Sequence, residues 1–230
     1  MKTAIVTGAS SGIGKAIAQS LIKAGYKVIG FGRKFNDEFR ENFSEMLQPI
    51  ELDLLDTNKL EQTIKALKKE NDITILVNCA GVAYYGLFEE IGVSDIQKMV
   101  RTNLELPMIL TQLLLRDLKK NKGFVINISS VTATSSNPHG VAYGATKAGL
   151  SSFSKSLFDE ARKYGIKVCD IKPDMTDTNL YRNANFTCDP SACLAPADVA
   201  AVVEYLLNAG EGVVVNEITL KPQLHRIQRK

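Results

Sequence analysis

A tyrosine and a lysine stand four residues apart in the run Y-G-A-T-K at residues 143–147. On a helix this spacing puts Tyr143 and Lys147 on one face, a single turn apart, so both side chains reach the same site. A phenol has a reference pKa of about 10, and lowering that pKa by about three units requires roughly 4 kcal/mol. An ammonium about 4 Å away, at an effective dielectric of about 20, supplies about that much. The pair therefore predicts a tyrosine that can transfer protons near neutral pH.

Two hydroxyls, Ser129 and Ser130, follow a Val- and Ile-rich run at residues 123–128. In an open parallel sheet the carboxyl ends of the strands face the ligand crevice, so these hydroxyls are expected at that crevice. Taken alone, a Tyr-x3-Lys pair is more often a solvated helix pair than a catalyst. Combined with Ser130 and with the glycine-rich turn at the start of the chain, the pair favours a catalytic site.

The glycine-rich turn T-G-A-S-S-G-I-G at residues 7–14 follows the first apolar run directly and opens a helix. Glycines there let the backbone approach a pyrophosphate, and the positive end of the helix dipole attracts the phosphate charge. A nucleoside-triphosphate loop needs G-x4-G-K-[ST], which Lys15 followed by Ala16 does not supply. The turn therefore predicts a dinucleotide cofactor rather than an ordinary strand-to-helix turn. Its candidate contacts are Gly8, Ser10, Ser11, Gly12, Ile13 and Gly14.

The end of the second predicted strand indicates which dinucleotide is preferred. An acidic residue about twenty positions past the glycines would bond the ribose 2′-hydroxyl of NAD(H), but none is present. Arg33 and Lys34 stand there instead, where a 2′-phosphate would lie. We therefore expect NADP(H) to be preferred, with NAD(H) as the second option; the alternative interpretation is two solvated surface cations.

Short Val- and Ile-rich runs alternate with amphipathic stretches, which is typical of strand–helix–strand units in a parallel sheet. The predicted strands span residues 3–7, 27–31, 49–52, 73–77, 123–128, 167–171 and 212–220. The predicted helices span residues 13–24, 57–69, 94–119, 141–164 and 197–207, with a weaker helix at 36–46. The sequence therefore predicts an α/β fold: a doubly wound parallel sheet (Rossmann fold) of about seven strands with helices on both faces. With no linker composition to divide it, the chain is expected to form a single domain over residues 1–230.

The composition of the chain limits the kinds of partner that we expect. The chain has 230 residues, 45% of them hydrophobic and 23% charged, which is typical of a globular protein. Its formal net charge of +3 gives no reason to expect nucleic acid or an anionic membrane as the partner. The four cysteines show no metal-binding spacing, so no metal is expected, and they suit a reducing compartment. We expect a cytoplasmic protein, without a signal peptide or membrane span.

Together these motifs resemble those of the short-chain dehydrogenases/reductases. The resemblance extends over nearly the whole chain, from T-G-x3-G-I-G at residues 7–14, through N-C-A-G at 78–81, to Ser130 and Y-x3-K. It implies that Tyr143 is the general acid/base and that Ser130 hydrogen-bonds the substrate oxygen. It also implies that Lys147 bonds the nicotinamide ribose and lowers the tyrosine pKa, and that Asn103 holds a water in a proton relay.

The resemblance also implies further cofactor contacts. Asp53 would meet the adenine amino group, and the Thr178 hydroxyl would meet the nicotinamide carboxamide. The cofactor set is completed by Leu54, Asn78, Ala80, Gly81 and Pro173, together with Tyr143 and Lys147.

The substrate side is less specified. Pro173-Asp174 stands where the family commonly has Pro-Gly, so a side chain projects near the nicotinamide end. Residues from about 175 to 195 are interpreted as a lid over the substrate, in which Arg182 is the single cation. The C-terminal residues 225–230 are interpreted as a solvated tail. Aromatic residues that could line an apolar pocket are Tyr84, Tyr85, Phe88, Tyr181 and Phe186.

These observations predict an oxidoreductase that transfers a hydride between NADP(H) and a small ketone, aldehyde or secondary alcohol. The ending at residues 215–222 resembles that of hydroxy-acid and small-carbonyl reductases. A 3-oxoacyl-acyl-carrier-protein reductase is the nearest alternative, and a non-catalytic NADP(H)-sensing regulator is a more distant one. Because the helices at 94–119 and 141–164 match those of family interfaces, the resemblance also implies a homodimer or homotetramer.

Overall fold

The computed structural model describes residues 1–42 and 45–229. In this part of the chain the strands are β1 (Lys2–Thr7), β2 (Lys27–Gly32), β3 (Leu47–Glu51), β4 (Asp72–Asn78), β5 (Phe124–Ile128), β6 (Lys167–Pro173), β7 (Phe186–Cys188), β8 (Glu217–Leu220) and β9 (Ile227–Arg229). Seven of these strands form one parallel sheet in the order β3-β2-β1-β4-β5-β6-β8. The predicted seven-stranded parallel sheet is confirmed.

The helices connect successive strands and cover both faces of the sheet. They are α1 (Gly12–Lys23), α2 (Asp37–Asn42), α3 (Thr57–Glu70), α4 (Val93–Val100), α5 (Leu106–Lys120), α6 (Val141–Ala161) and α7 (Pro196–Asn208). On one face α1 and α7 bury Ile17, Leu21 and Val203 against the sheet. On the other face α3 and α5 contribute Ile64 and Leu110 to a second core. The central strands β1, β2, β4, β5 and β6 are buried on both sides, which explains their continuous hydrophobicity, whereas the edge strands β3 and β8 are partly exposed.

The strand order determines where a ligand can enter. β1 pairs with β2 on one side and with β4 on the other, so the loops that follow β1 and β4 diverge across the sheet. An open parallel sheet has its crevice at such a point, outside the carboxyl ends of the strands. The glycine-rich turn follows β1, and residues 78–81 end or follow β4, so both lie at this crevice.

Several predicted boundaries are different in the structure. The strand predicted at 212–220 is limited to β8, Glu217–Leu220, which pairs with the end of β6. The strand predicted at 49–52 begins earlier, at Leu47, because its register with β2 starts there. The weak helix predicted at 36–46 is realised as α2 over Asp37–Asn42, and residues 43–44 lie outside the described part of the chain.

The long helix predicted at 94–119 is interrupted. α4 ends at Val100, a five-residue π-helical turn spans Arg101–Glu105, and α5 begins at Leu106. Pro107 has no backbone N–H, so it cannot donate the helical hydrogen bond to the carbonyl of Asn103 four residues earlier. Single π-helical turns of this kind are frequent at functional sites. Pro107, inside the predicted helix, was the sequence signal for this break.

The C-terminal residues 225–229 are exposed, as a solvated segment would be, but they are not an unpaired tail, and Lys230 lies outside the described residues. β9 pairs antiparallel with β7, with Cys188 opposite Ile227 and Phe186 opposite Arg229. The side chain of Arg226, next to β9, donates a 3.3 Å hydrogen bond to the Asp189 carboxylate. The residues around Ile227 are mostly polar and give no local signal of a strand. The partner strand, β7, lies about forty residues earlier in the chain.

Candidate active site

The turn between β1 and α1 lines a cavity of about 400 Å³ at the carboxyl ends of the strands. Gly8 and Gly12 have φ angles of 70° and 53°, in the left-handed region that favours glycine. A Cβ on Gly14 would overlap the carbonyl oxygen of Gly8. Ser11 precedes α1 without a capping hydrogen bond from its side chain, so the first N–H groups of the helix are available to an anion. The turn therefore fits a pyrophosphate at all three glycine positions.

The loop after β4 is fastened to this turn by Thr7. The Thr7 hydroxyl accepts hydrogen bonds from the backbone N–H groups of Cys79 and Ala80, both at 3.0 Å. Ala80 also packs so closely on Gly8 that a Cβ there would lie 3.1 Å from its Cα. Sequence reasoning missed Thr7, although its position as the last residue of β1 is visible in the motif.

Other predicted cofactor residues line the same cavity. Arg33 follows β2 and Asp53 follows β3, so both stand at the far end from Tyr143. Lys34 is exposed and is not among the residues that line it. Thr178 approaches the turn from the lid side, since a Cβ on Gly12 would lie 3.0 Å from its methyl carbon. The remaining predicted residues that line the cavity are Gly8, Ser10, Ser11, Gly12, Ile13, Gly14, Leu54, Ala80, Gly81 and Pro173.

Ser130, Tyr143 and Lys147 meet at the middle of the cavity, as their spacing predicts. Tyr143 is on the first turn of α6, and its phenol is close enough to the Ser130 hydroxyl for that hydroxyl to lower the phenol pKa. Ser130 is held in turn by the backbone N–H of Thr132, which donates to its hydroxyl at 3.2 Å. The Lys147 ammonium donates a 2.8 Å hydrogen bond to the carbonyl of Ile128 and lies 5.8 Å from the centre of the Tyr143 ring.

The electrostatics of this group correct one expectation. Burial raises the pKa of Tyr143 to about 12, although the Ser130 hydroxyl lowers it. Burial also lowers the pKa of Lys147 to about 8, against the opposing effects of Cys79 and Asp170. The expectation that the ammonium acidifies the phenol is therefore wrong for the chain alone, because the loss of water outweighs the available charge. At neutral pH Tyr143 carries its proton.

Asn103 lies behind the cavity rather than at its surface. It is fully buried in the π-helical turn and does not line the cavity. Its side-chain oxygen accepts from the Val82 N–H at 2.9 Å, and its side-chain nitrogen donates to the Val82 carbonyl at 2.9 Å and to the Thr146 hydroxyl at 3.1 Å. The side chain thus ties the loop after β4 to α6, next to Lys147.

The structure does not bring Asn78 to the cavity either. Its amide donates a 2.8 Å hydrogen bond to the side-chain oxygen of Asn127 on β5, and Asn127 donates at 2.8 Å to the Ser154 hydroxyl on α6. All three side chains are buried. They connect two strands to α6 beneath the site, so Asn78 acts through the fold rather than by contact.

An aromatic wall closes the substrate end of the cavity. Tyr85 packs edge-on against Phe186 with ring centres 5.0 Å apart, and it lies 5.9 Å from the ring of Tyr143 and 6.3 Å from that of Tyr181. Tyr85, Tyr181 and Phe186 line the cavity as predicted. The other two aromatic candidates do not: Tyr84 packs in a side cluster with Val82 and Met99, and Phe88 is exposed.

Charged groups gather at the same end. Arg182 and Asp174 line the cavity, and so do His225 and Ile227 from the C-terminal residues, which sequence reasoning placed in solvent. The Asp174 carboxylate accepts a 2.8 Å hydrogen bond from the Met175 N–H and lies 3.7 Å from Nδ1 of His225. This end can therefore present both signs of charge to a polar substrate.

Comparison with known proteins agrees with this geometry. A family model described as short chain dehydrogenase matches residues 2–188. Serine 3-dehydrogenase of Agrobacterium fabrum is 32% identical over 96% of this chain and 93% of its own length. An alcohol dehydrogenase from the archaeon Thermococcus sibiricus, complexed with 5-hydroxy-NADP, superposes with a TM-score of 0.87 at 25% identity, covering 98% of each chain.

A second solved structure, the closed form of serine dehydrogenase complexed with NADP+, has a TM-score of 0.83 at 26% identity. The match covers 96% of this chain and 94% of that one. Among the described residues, no helix combines the length and the apolar character needed to cross a membrane.

Proposed function

The chain belongs to the short-chain dehydrogenase family, and we propose that it transfers a hydride between NADP(H) and a small carbonyl compound or the matching secondary alcohol. The proposal rests on one observation: two features of the sequence line the same cavity. The glycine-rich turn lines one end, while Ser130, Tyr143 and Lys147 line the same cavity, with the Lys147 ammonium 5.8 Å from the centre of the Tyr143 ring. A dinucleotide in this cavity would extend from the turn toward that group.

The chain's own residues would bind and orient the cofactor. The N–H groups at the start of α1 would hold the pyrophosphate, and Asp53 and Leu54 would contact the adenine end. Lys147 would bond the ribose beside Ala80 and Gly81, and Thr178 and Pro173 would border the carboxamide. When bound, the nicotinamide would supply the hydride.

Tyr143 would move the proton. Its raised pKa keeps the phenol protonated at neutral pH, so it is ready to donate to the carbonyl oxygen as the substrate is reduced. Ser130 would hydrogen-bond the same oxygen and fix its position. In the reverse direction the phenol must first lose its proton, so alcohol oxidation should accelerate as pH rises. Asn103 would serve as a positioning residue, and a water bound near it would relay protons.

Preference for NADP(H) is supported by Arg33. This cation lines the adenine end of the cavity, with no carboxylate at the corresponding position of the sequence. Arginine recognises a phosphate through paired N–H donors. Two solved relatives carry NADP or an NADP derivative in their complexes, which adds support.

For the substrate, we propose a small hydroxy acid or its oxo partner. Arg182 could meet a carboxylate, while Asp174 could meet an amino group, so a 2-amino-3-hydroxy acid such as serine satisfies both charges. The aromatic wall of Tyr85, Tyr181 and Phe186 would limit the size of the carbon chain. The name of the Agrobacterium relative, serine 3-dehydrogenase, is consistent with this class.

A substrate panel tests the proposal. Oxidation of NADPH by small aldehydes, ketones and oxo acids, and reduction of NADP+ by serine and other hydroxy acids, would be followed at about pH 7 and about pH 9. Turnover of hydroxy acids that increases with pH is expected. Turnover confined to acetoacetyl thioesters would instead favour an acyl-carrier-protein reductase, and tight NADPH binding without any turnover would favour a sensor.

The proposal includes a cytoplasmic homodimer or homotetramer. The four cysteines are free thiols in the structure, which suits a reducing compartment. Light scattering coupled to size-exclusion chromatography would show the oligomer, and a monomer at all concentrations would remove this part of the proposal.

A further inference from the structure

Two cysteines of the lid lie almost in covalent contact. The Sγ atoms of Cys188 and Cys193 are 3.0 Å apart. A disulfide bond is about 2.05 Å long, so a small movement of one side chain would bring the sulfurs to bonding distance. Cys188 is 2% exposed, whereas Cys193 is partly exposed and can meet a reagent from solvent.

The pair connects two parts of the lid. Cys188 is the last residue of β7, which pairs with β9 and carries Phe186 over the substrate end of the cavity. Cys193 precedes Leu194, whose N–H donates to the Met175 carbonyl at 2.9 Å and whose carbonyl accepts from the Asp177 N–H at 2.8 Å. A bond between the two sulfurs would therefore join the β7–β9 pair to the base of the lid.

The other two cysteines stand in different environments. Cys79 lines the cofactor cavity, and burial raises its pKa to about 12. Cys169 is buried in β6, and burial raises its pKa to about 12 as well. Both thiols therefore resist oxidation, since the thiolate is the reactive form. Burial raises the pKa of Cys188 to about 12 as well. The lid pair is distinguished instead by the 3.0 Å between its sulfurs and by the partial exposure of Cys193.

We propose that Cys188 and Cys193 form a reversible disulfide that clamps the lid over the substrate site. With a peroxide as oxidant, Cys193 attacks one peroxide oxygen, the O–O bond breaks, and water and a sulfenic acid are formed. The Cys188 sulfur then displaces the sulfenic oxygen as a second water, giving one S–S bond. Two thiols lose two protons and two electrons in all, and hydrogen peroxide is reduced to two waters.

The clamp would act on the catalytic cycle. Substrate and product must pass a lid whose Tyr181, Phe186 and Arg182 line the cavity. Lid opening or product release limits turnover in many enzymes, so we expect oxidation to lower kcat about tenfold. The expected fall in kcat rests on the proposed function. Formation of the disulfide and ordering of the lid do not depend on it.

Mass spectrometry of the oxidised protein tests the bond. Purified protein is treated with a small excess of hydrogen peroxide, its intact mass is measured, and free thiols are then alkylated in denaturant. The mass should fall by about 2 Da, and two of the four thiols should escape alkylation. An aspartate-directed protease cleaves between Cys188 and Asp189, so its two products should stay linked until a reductant separates them. Alkylation of both lid cysteines after oxidation would overturn the proposal.

Hydrogen exchange and turnover test the clamp. Amides of residues 183–195 should exchange more slowly after oxidation, and turnover should fall and recover with dithiothreitol. Cys193→Ser should abolish all three responses, and Cys169→Ala should retain them. Faster or unchanged lid exchange in the linked protein would overturn the clamp even if no substrate is turned over. Loss of turnover that persists in Cys193→Ser would assign the effect to another group.

Discussion

The ammonium of Lys147 donates a 2.8 Å hydrogen bond to the carbonyl of Ile128, so the helix α6 is fixed to the carboxyl end of β5 at the candidate active site. Tyr143 lies one turn earlier on the same helix and Ser130 lies two residues beyond that strand. This hydrogen bond thus fixes α6 relative to the end of β5, and these two elements position Tyr143, Lys147 and Ser130. It also holds a charge that is largely removed from water.

Replacing Lys147 by Met should flatten the pH dependence of stability. Burial lowers the pKa of this lysine from 10.5 to about 8, so between those values the unfolded chain binds more protons than the folded one. The free energy of unfolding of the wild type should therefore rise by about 2 kcal/mol more than that of the variant from about pH 8 to about pH 10. Below about pH 7 both states bind the proton and the difference should stay constant.

Denaturant unfolding of both proteins across this pH range measures the effect. The difference between the two proteins removes the contribution of Cys169, because burial raises its pKa and it acts in the opposite direction in both. Both proteins carry Cys79→Ala, because the charge of Lys147 lowers the pKa of Cys79 and that contribution would not cancel. Parallel curves would contradict the assigned lysine pKa.

Gly14→Ala should disrupt the cofactor turn. The added Cβ would overlap the Gly8 carbonyl, so the backbone has to move, at a cost of about 2 kcal/mol in stability and a loss of NADPH binding of tenfold or more, on the order expected for a strained turn. Gly212→Ala is the matched control, because nothing lies within 4 Å of a Cβ there. Thermal unfolding and NADPH fluorescence titration measure both effects. Full NADPH affinity in Gly14→Ala would show that the turn does not contact the cofactor.

Arg33→Ala should weaken NADPH binding about tenfold and leave NADH binding nearly unchanged, because only NADPH carries the 2′-phosphate. Lys34→Ala serves as the neighbouring control: Lys34 does not line the cavity, so its loss should have a smaller effect. The dissociation constants of NADPH and NADH for the wild type and for both variants measure the effect. Equal weakening of NADH and NADPH, or tighter wild-type binding of NADH, would remove the preference for NADP(H).

The parts that sequence could predict are those with local signals. The Val- and Ile-rich runs, the glycines of residues 7–14 and the Tyr143–Lys147 spacing each depend on neighbours along the chain. The parallel sheet follows from the first, and the shared cavity of the glycine-rich turn, Tyr143 and Lys147 follows from the other two. The turn itself requires glycine at position 14, so the motif alone predicts the role of this residue.

The parts that sequence could not predict depend on distant partners. β9 exists because β7 offers an unpaired edge, and the polar residues around Ile227 give no local hint of it. Asn78 shares its motif with cavity residues, yet its amide finds Asn127 on the adjacent strand. The raised pKa of Tyr143 likewise depends on burial, which spacing along a helix does not reveal.

Arg182→Gln should raise the KM for a hydroxy acid about tenfold and leave the KM for an uncharged ketone unchanged, since the lost interaction is with a carboxylate. Arg116→Gln, on the exposed side of α5, is the control of equal chemistry. Steady-state kinetics with both substrates measure the split. An identical change for the two substrates would indicate that Arg182 acts on the lid and not on a carboxylate.

Transfer of deuterium from NADPH in which both hydrogens on nicotinamide C4 are replaced by deuterium tests the central claim most directly. With a carbonyl substrate from the panel, the wild type should place the label on the carbinol carbon of the product. Tyr143→Phe should lower kcat by about 10²–10⁴-fold while NADPH still binds, and Tyr205→Phe, whose side chain is 59% exposed, should behave as wild type. A product without the label, or a Tyr143→Phe variant as active as the wild type, would contradict the proposed reaction.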